Sequence, residues 1–502
     1  MPILANKKLK KVAFWLAAIF VLAILLRLSI INTQDLWADE AFSVNAAREG
    51  LSRSIEISVA DTNPPLHLLI LSVWGGIFGF GEIAMRFTSL IFGIASLFVL
   101  LKIAQELKLT NIQKIFTALL FAVSPVLIYY SVEARAYALL TLLFLSALYL
   151  LLRIKRQVDL HTQVNPQTDF WKLLLLFQLS NLLGLYTHNI FIFPFIILNL
   201  ALGFQLIRGK HFVTLKQFLL SFFPTIILYL PWLLIFAAQL SKVSNKGFWF
   251  IFEPFNSIWI FWANIFVNTN INPEVLPTLI VLIPIILILG SIFLLMGSVD
   301  SWRKRNGFIE FIYLAILLLV YLISFRTALF YIRYLVFLVP VILLTMVKPL
   351  GLVGGRGKSL LTALFFLLTA SLLSFQIFNV NTYTTKPETK LALQYIDSNS
   401  NSAVVLNFSG VQFHATKYYL AECNCQQYLF TRESELRYYE GLASIQKSDY
   451  FQGDLSSLSD LWIIKLYWED ATKNNESLAA AGFRIADSKS FSRTIVEKWS
   501  KK

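Results

Sequence analysis

The sequence predicts an α-helical polytopic membrane protein with about eleven transmembrane helices and a small C-terminal α/β domain outside the membrane. Three observations carry this expectation. Hydrophobic residues make up 57% of the 502 and charged residues only 14%; a soluble chain of this length would divide into several domains and carry far more charge. Apolar runs of roughly 17–25 residues, the length that crosses hydrocarbon, recur along most of the chain. The formal charge of +14 is unevenly placed: the tail from Val380 to Lys502 holds 14 basic and 14 acidic residues, so the excess belongs to short loops of the membrane part. That is the positive-inside signature. It accounts for the charge without a nucleic-acid partner.

The first run, Val12–Ile31, follows Lys7-Lys8-Leu9-Lys10-Lys11 and resembles a secretory signal. It is too long for a signal's apolar core, and no small-residue cleavage site follows. An uncleaved first span with a cytoplasmic N-terminus is expected. The further spans are Ala84–Leu101, Ile115–Tyr130, Ala136–Leu152, Leu173–Thr187, Ile190–Ile207, Phe218–Ala238, Leu276–Met296, Phe308–Ser324, Ile332–Val347 and Leu360–Phe378.

Leu66–Phe80 and Phe248–Val267 are ambiguous, and charge decides both. If neither crosses, the inside loops hold Lys102, Lys108 and Lys114, then Arg153, Lys155, Arg156 and Lys172, then Arg208, Lys210 and Lys216, then Arg303, Lys304 and Arg305, and lastly Lys348, Arg356 and Lys358. Outside, before the tail, lie only Arg48, Arg53, Arg86, Arg135, Lys242, Lys246, Arg326 and Arg333. A crossing at Leu66–Phe80 would reverse every later loop and break the rule. That stretch is therefore expected on the outer face as a juxtamembrane or re-entrant helix. In Phe248–Val267, Glu253, Asn256 and Asn264 mix with Trp249, Trp259 and Trp262, which suits the headgroup level. It reads either as an interfacial anchor or as a platform for a lipid tail.

With eleven spans the C-terminus lies outside, and residues 380–502 fold in water as a domain of common size. Pro387–Asp397 and Asn475–Ala481 read as helices. Ala403–Asn407 and Leu461–Leu466 read as buried strands, and Phe483–Asp487 with Arg493–Lys498 as a closing strand pair. The only cysteines, Cys423 and Cys425, lie here. Without histidine nearby in sequence they do not make a zinc site, and a bridge between them needs an oxidising compartment.

The membrane part, residues 1–379, carries its acids in an external loop at 32–83. Asp35, Asp39, Glu40, Glu49, Glu56 and Asp61 crowd the stretch from Gln34 to Leu71. The Asp39–Glu40 pair and the turn Asp61-Thr-Asn63-Pro-Pro are its two fixed points. Other polar residues stand where membranes exclude them, which points to function by default. Glu133 and Arg135, near Tyr137, form either a local ion pair or a substrate-binding group. His188 and His67 are either hydrogen-bonded structural histidines or ligands. Arg333, beside Tyr334, either snorkels or clamps a phosphate at the membrane surface. All are expected on the outer face, where one polar cavity would gather them.

Gly351-Leu-Val-Gly-Gly-Arg-Gly-Lys-Ser359 lacks the glycine spacing of a phosphate loop and reads as a flexible inside loop. No dinucleotide pattern is present. The energy for any group transfer must therefore arrive with the substrate.

Leu36-Trp-Ala-Asp-Glu-Ala41, Asp61-Thr-Asn-Pro-Pro-Leu66, Trp74 to Phe80, and Glu82 with Arg86 together resemble the first external loop of protein O-mannosyltransferase-like membrane glycosyltransferases of the GT-C class. Ser131-Val-Glu-Ala-Arg-Ala-Tyr137 and Arg333-Tyr-Leu335 near Pro340 resemble later landmarks of the bacterial branch, and the likeness runs from Met1 to Phe378. The resemblance implies a GT-C-like fold in the plasma (inner) membrane. It implies transfer of a sugar from a polyprenyl-phosphate carrier to an acceptor lipid, glycan or protein on the outer face. It makes Asp39 the catalytic acid-base residue and Glu40 its support. The class varies in its need for a divalent metal ion, so the metal stays unassigned.

Elementary chemistry agrees on the base. A hydroxyl is a poor nucleophile until a positioned group takes its proton, and Asp39 lies just beyond the first span. The competing reading has Asp39 cap a helix starting near Ala41. A polytopic lipid or glycolipid flippase is the alternative from another class, since carboxylates and arginines also serve proton-coupled carriers. Its expected marks, inverted repeats and broken midplane helices, are absent from the sequence. A surface-glycan polymerase or ligase would differ only in acceptor.

Overall fold

The computed structural model of the chain describes residues 2–159, 166–246, 250–267, 281–304, 306–351, 355–380, 386–431, 436–437 and 440–501. They form two compact units. One holds Met1–Ile30, Phe87–Ala238 and Phe250–Tyr383; the other holds Ile31–Arg86, Gln239–Trp249 and Thr384–Lys502. Most of the first external loop thus falls in the same unit as the tail.

The first unit is helical. Among the described residues, 8 helices of the chain are long and apolar enough to cross a membrane: Lys10–Leu28, Glu82–Glu106, Tyr137–Asp159, Asn189–Arg208, Phe212–Leu240, Leu282–Arg303, Ile332–Gly351 and Ser359–Phe378. The other three expected spans also fall on helices. Leu173–Thr187 lies in a Pro166–Thr187 helix, and Phe308–Ser324 keeps its bounds. Ile115–Tyr130 divides into Asn111–Val123 and Pro125–Tyr130. The break has a local cause: Pro125 cannot donate to the ladder and pushes Ser124 into an extended conformation, with ψ at 115°. Asn111–Val123 starts at a reciprocal cap between Thr110 and Gln113. The Gln113 amide also donates to the Lys348 carbonyl at 2.9 Å. In the Phe248–Val267 stretch, a Pro254–Phe266 helix exposes Phe255 and Trp259; Phe248 and Trp249 lie outside the described residues.

Two buried charges brace this unit. Arg27, in the first helix, donates to the Ala23 carbonyl at 3.0 Å and lies over the Phe121 ring. Glu310, fully buried, accepts from Lys348 Nζ at 2.5 Å and from Ser301 and Thr345 hydroxyls at 2.9 and 3.0 Å. These contacts join Leu282–Arg303, Phe308–Ser324 and Ile332–Gly351 through one carboxylate.

The second unit combines loop helices with a sheet. Ala38–Arg48, Leu51–Ala60 and Leu66–Phe78 pack through Phe42, Ala46, Ile57 and Leu68. Leu66–Phe78 has 13 residues, about 20 Å of helix at 1.5 Å per residue, too short to span. It stops at Gly79, whose φ of 85° favours glycine.

The tail contributes strands β1 (Ala403–Asn407), β2 (Cys425–Leu429), β3 (Asp460–Leu466), β4 (Phe483–Phe491) and β5 (Thr494–Lys501). The order is β2-β1-β3-β5-β4, with β1 parallel to β2 and β3, and β5 antiparallel to β3 and β4. Central β3 is buried on both faces, which is why Leu461 to Ile464 reads as an unbroken apolar run. Edge strand β4 is mostly exposed and carries an irregularity between Ile485 and Asp487, a common protection of an open edge. Helices Thr389–Asn399, Gly410–Tyr419 and Thr472–Ala480 complete the tail. Strand β2 and helix Gly410–Tyr419 were not anticipated: Cys-Gln-Gln-Tyr-Leu and Gly-Val-Gln-Phe-His-Ala carry weak periodicity. Cys423 and Cys425 are bridged.

The Glu310–Lys348 pair yields a test of the fold. Glu310→Leu alone leaves a buried ammonium without its carboxylate and should cost roughly 3–5 kcal/mol. Glu310→Leu combined with Lys348→Met should recover most of that loss in thermal-shift measurements. A double variant no more stable than the single one would show that the pair does not hold these helices.

Candidate active site

The helix Ala38–Arg48 begins with the acidic pair. Asp39 and Glu40 both lie in its first turn, where unpaired backbone N–H groups favour negative charge. Consecutive side chains on a helix diverge, and the two carboxylates meet different surroundings. Glu40 is fully buried, while Asp39 is partly exposed.

Glu40 is held by two cations. Arg86 approaches it side-on, with Nε donating to Oε1 at 2.9 Å and Nη2 to Oε2 at 3.0 Å. Lys386 Nζ donates to Oε2 at 2.6 Å. Arg86 spends its remaining donors on backbone: Nη1 on the Ile31 and Gln34 carbonyls at 2.9 and 2.8 Å, Nη2 on the Asp35 carbonyl at 3.0 Å. All five guanidinium N–H groups are thereby used. Burial would raise the Glu40 carboxyl, but the charges of Arg86 and Lys386 overcome it and bring it down to about 2. Glu40 is therefore ionised throughout the physiological range.

Around this clamp the loop and tail interlock. The Asp35 carboxylate accepts the Lys390 N–H at 2.7 Å, in the first turn of Thr389–Asn399. The Leu36 N–H donates to the Tyr419 hydroxyl at 2.7 Å. Asn45 donates to the His414 carbonyl at 3.0 Å, and Phe42 meets the His414 ring edge-on at 5.3 Å. The helix starts at Ala38 with Trp37 as its cap residue, so Asp39 is a first-turn residue and does not occupy the cap position.

The second fixed point is a tight connection. Asp61 ends the Leu51–Ala60 helix, and Asn63 Nδ2 donates to its carboxylate at 3.1 Å. Pro65 then opens Leu66–Phe78, in whose first turn His67 is buried.

The remaining candidates belong to the first unit, where several come together. Glu133 is buried and faces the Tyr129 hydroxyl at 3.5 Å, while Ser89 donates to the Glu133 carbonyl at 2.6 Å. Tyr137 lies 6.0 Å and Tyr334 5.5 Å from the His188 ring, centre to centre. Arg333 lies over the Tyr331 ring. His188 Nδ1 accepts the Ile190 N–H at 3.2 Å, which leaves Nε2 as the protonated nitrogen. Burial, then the charges of Arg135 and Arg333, pull this imidazole down to about 3. His188 is thus a neutral ring within the field of two guanidinium groups.

Among the described residues, no group of three or more His, Cys, Asp or Glu side chains is placed to hold a metal ion. Sequence reasoning missed the two cations on Glu40. An arginine in the first turn of an apolar span was a legible signal for Arg86. Lys386, 346 positions from Glu40, gave none.

Asp35 supplies a pH test. Burial raises its carboxyl to about 6 from an ordinary 3.8. The folded chain therefore keeps this proton to higher pH than the unfolded chain, and the favourable contribution, full below pH 4, is lost as pH rises through 6. Asp35→Asn keeps an acceptor for the Lys390 N–H without the charge. It should raise the thermal midpoint at pH 7 and match wild type at pH 4. A lower midpoint at pH 7 would mean that the ionised carboxylate stabilises the fold.

The chain matches no family model and none of the curated proteins. Solved structures do resemble it. ArnT from Cupriavidus metallidurans in the apo state aligns over 98% of this chain and 98% of its own, with TM-score 0.62 and 11% identity. The same protein bound to undecaprenyl phosphate aligns over 97% and 98%, with TM-score 0.58 and 11% identity. The archaeal oligosaccharyltransferase AglB from Archaeoglobus fulgidus, in complex with an inhibitory peptide and a dolichol-phosphate, aligns over 90% of this chain and 69% of its own, with TM-score 0.53 and 12% identity. The chain therefore has the GT-C fold that these structures share, with its small sheet domain at the C-terminus.

Proposed function

We propose that this protein is a membrane glycosyltransferase that moves a sugar from a polyprenyl-phosphate carrier to an acceptor hydroxyl on the outer face of the plasma membrane. The observation that carries the reading is the division within the acidic pair. Glu40 is locked by Arg86 and Lys386, while Asp39 presents a second carboxylate in the same helical turn at a partly exposed position. The fold supports it, since one solved structure of that fold holds undecaprenyl phosphate and another dolichol-phosphate.

In this reading the Asp39 carboxylate takes the proton of the acceptor hydroxyl as that oxygen bonds to the anomeric carbon. The bond from that carbon to the phosphate oxygen breaks, and polyprenyl phosphate leaves with the electron pair. One direct displacement inverts the anomeric configuration. Glu40 positions the helix start and takes no proton. Arg135 and Arg333 neutralise charge on the leaving phosphate, since guanidinium offers paired donors to phosphate oxygens. The His188 Nε2–H, near both arginines, is a neutral donor suited to the same anion. Positive-inside loops support a cytoplasmic N-terminus, eleven spans and an extracytoplasmic tail.

Asp39→Asn preserves size while removing the base. It should insert and fold as wild type does and lose roughly 10²-fold or more in turnover. Retention of more than about a tenth of wild-type turnover would return Asp39 to a structural role. Arg333→Ala should raise the apparent KM for a polyprenyl-phosphate sugar or lower turnover, measured with the purified protein. Unchanged kinetics would leave Arg333 as a snorkelling anchor.

A further inference from the structure

His414, in the tail helix Gly410–Tyr419, is only 2% exposed and has no part in the chemistry proposed above. Its residue is nevertheless tied to both the acidic helix and a distant turn, all within the second unit. Ring Nε2 donates to the Gly441 carbonyl at 3.2 Å. A carbonyl only accepts, so Nε2 carries the proton and Nδ1 is bare. The Phe42 ring meets the imidazole edge-on at 5.3 Å. The His414 carbonyl accepts from Asn45 Nδ2 at 3.0 Å, one turn beyond Phe42 on the same helix.

The turn at Gly441 suits this approach. Gly441 has a φ of 75°, which favours glycine, and an added Cβ would strike His414 Nε2 and press on Phe42. Its carbonyl also accepts the Ser444 N–H at 3.1 Å. Ala443, in the same turn, packs against Phe42, Ala46, Ile57 and Leu68. His414 Nδ1 meets no hydrogen-bond partner among the described residues. An unpaired buried acceptor opposes folding, so packing alone does not account for an imidazole here. Burial, then the Lys417 charge, pull the ring down to about 4, against the Gly441 and Glu440 carbonyls and the charge of Asp39. The ring is neutral at physiological pH, and Asp39 lies within electrostatic reach of it.

Helix geometry connects the two residues. Asp39, Phe42 and Ala46 stand at i, i+3 and i+7 of Ala38–Arg48 and share one face. Glu40 lies about 100° round the axis from Asp39. Arg86 and Lys386 therefore hold one side of the helix. The His414 ring and the Gly441 turn hold the side that bears Asp39. A clamp on one side alone leaves the helix free to roll, and a second contact removes that freedom. We propose that His414 is a positioning residue for Asp39: its ring, pinned to the Gly441 carbonyl, seats Phe42 and fixes the helix face on which the base stands. This inference rests on the transferase reading above for the role of Asp39, and on the packing alone for the seat.

The test uses the full chain in lipid nanodiscs. Spin labels at Asp39→Cys and Ser488→Cys, the second on the exposed edge strand β4, report the position of the Asp39 turn by double electron–electron resonance. Cys423 and Cys425 are bridged and take no label. His414→Leu removes the donor and should broaden the distance distribution. His414→Gln keeps an N–H donor and should narrow it again. In chains that retain Asp39, turnover is read as polyprenyl phosphate released from polyprenyl-phosphate mannose and polyprenyl-phosphate glucose, with lipid, glycan and peptide hydroxyls present. His414→Leu should lower kcat by roughly 10–100-fold, the scale of an ångström misplacement, with the donor KM unchanged. His414→Gln should recover most of that loss. In the Asp39→Asn chain the same His414→Leu change should cost no more than about two-fold, because a positioning effect disappears with the residue it positions. Equal loss in both backgrounds would reduce His414 to a structural role. An unbroadened distribution or a wild-type kcat in His414→Leu would overturn the inference. If His414→Leu does not fold, Phe42→Leu removes the seated ring and is read in the same way. Absence of release by wild type would overturn the transferase reading, while the distance distribution still decides whether His414 fixes this turn.

Discussion

Arg86 spends all five of its guanidinium donors within one short stretch of chain, on Ile31, Gln34, Asp35 and both oxygens of Glu40. Its side chain and that of Glu40 are almost wholly buried, at 2% and 0% exposure. A buried ion pair earns stability only when its geometry is good and its other hydrogen-bonding capacity is satisfied. Here both conditions hold: the contact is two-pronged, and Lys386 takes the second side of the carboxylate. Removing either cation would leave buried negative charge undercompensated. Removing Glu40 would leave two cations without their anion. Arg86 and Glu40 together tie the chain after the first helix, the start of Ala38–Arg48, the start of Glu82–Glu106 and Lys386 ahead of Thr389–Asn399.

The same constraint gives two adjacent acids different surroundings. Divergence of neighbouring side chains sends Glu40 inward and leaves Asp39 partly exposed. The clamp then fixes the position of the helical turn that bears Asp39. In the proposed reading the general base must sit at a defined place, and the Glu40 clamp fixes the helical turn that bears it. In the membrane unit an analogous economy is visible around His188, where burial and two guanidinium groups keep the ring neutral.

Much of this was legible before any coordinates. The membrane class followed from composition and loop charge, and each expected span overlaps a helix, with Leu276 to Ile280 of one span lying outside the described residues. The pairing of Asp39 with Glu40 stood out because acids are scarce in this chain. Strand β1 appeared with its expected bounds, and β3, β4 and β5 differ by a few residues at their ends. The harder features are those made by residues far apart in sequence. Nothing in Thr-Thr-Lys386-Pro-Glu marks a lysine that will meet Glu40. Tyr419 and His414 sit in a helix whose sequence has no clear apolar stripe, so its packing on Ala38–Arg48 was not visible. Strand β2 is polar at an edge, where burial does not impose alternation. In sequence Asp35 is one acid among six, because its distinctive contact is with the backbone of Lys390.

The central claim is a direct displacement at the anomeric carbon of a lipid-phosphate sugar, with the acceptor hydroxyl deprotonated by one carboxylate. The most direct measurement incubates the purified protein with an anomerically pure polyprenyl-phosphate sugar and a panel of hydroxyl-bearing lipid, glycan and peptide acceptors, then reads the product's anomeric configuration by NMR. The account predicts one polyprenyl phosphate released per sugar transferred, and inverted configuration in the product. Retained configuration, or no release of polyprenyl phosphate, would contradict it.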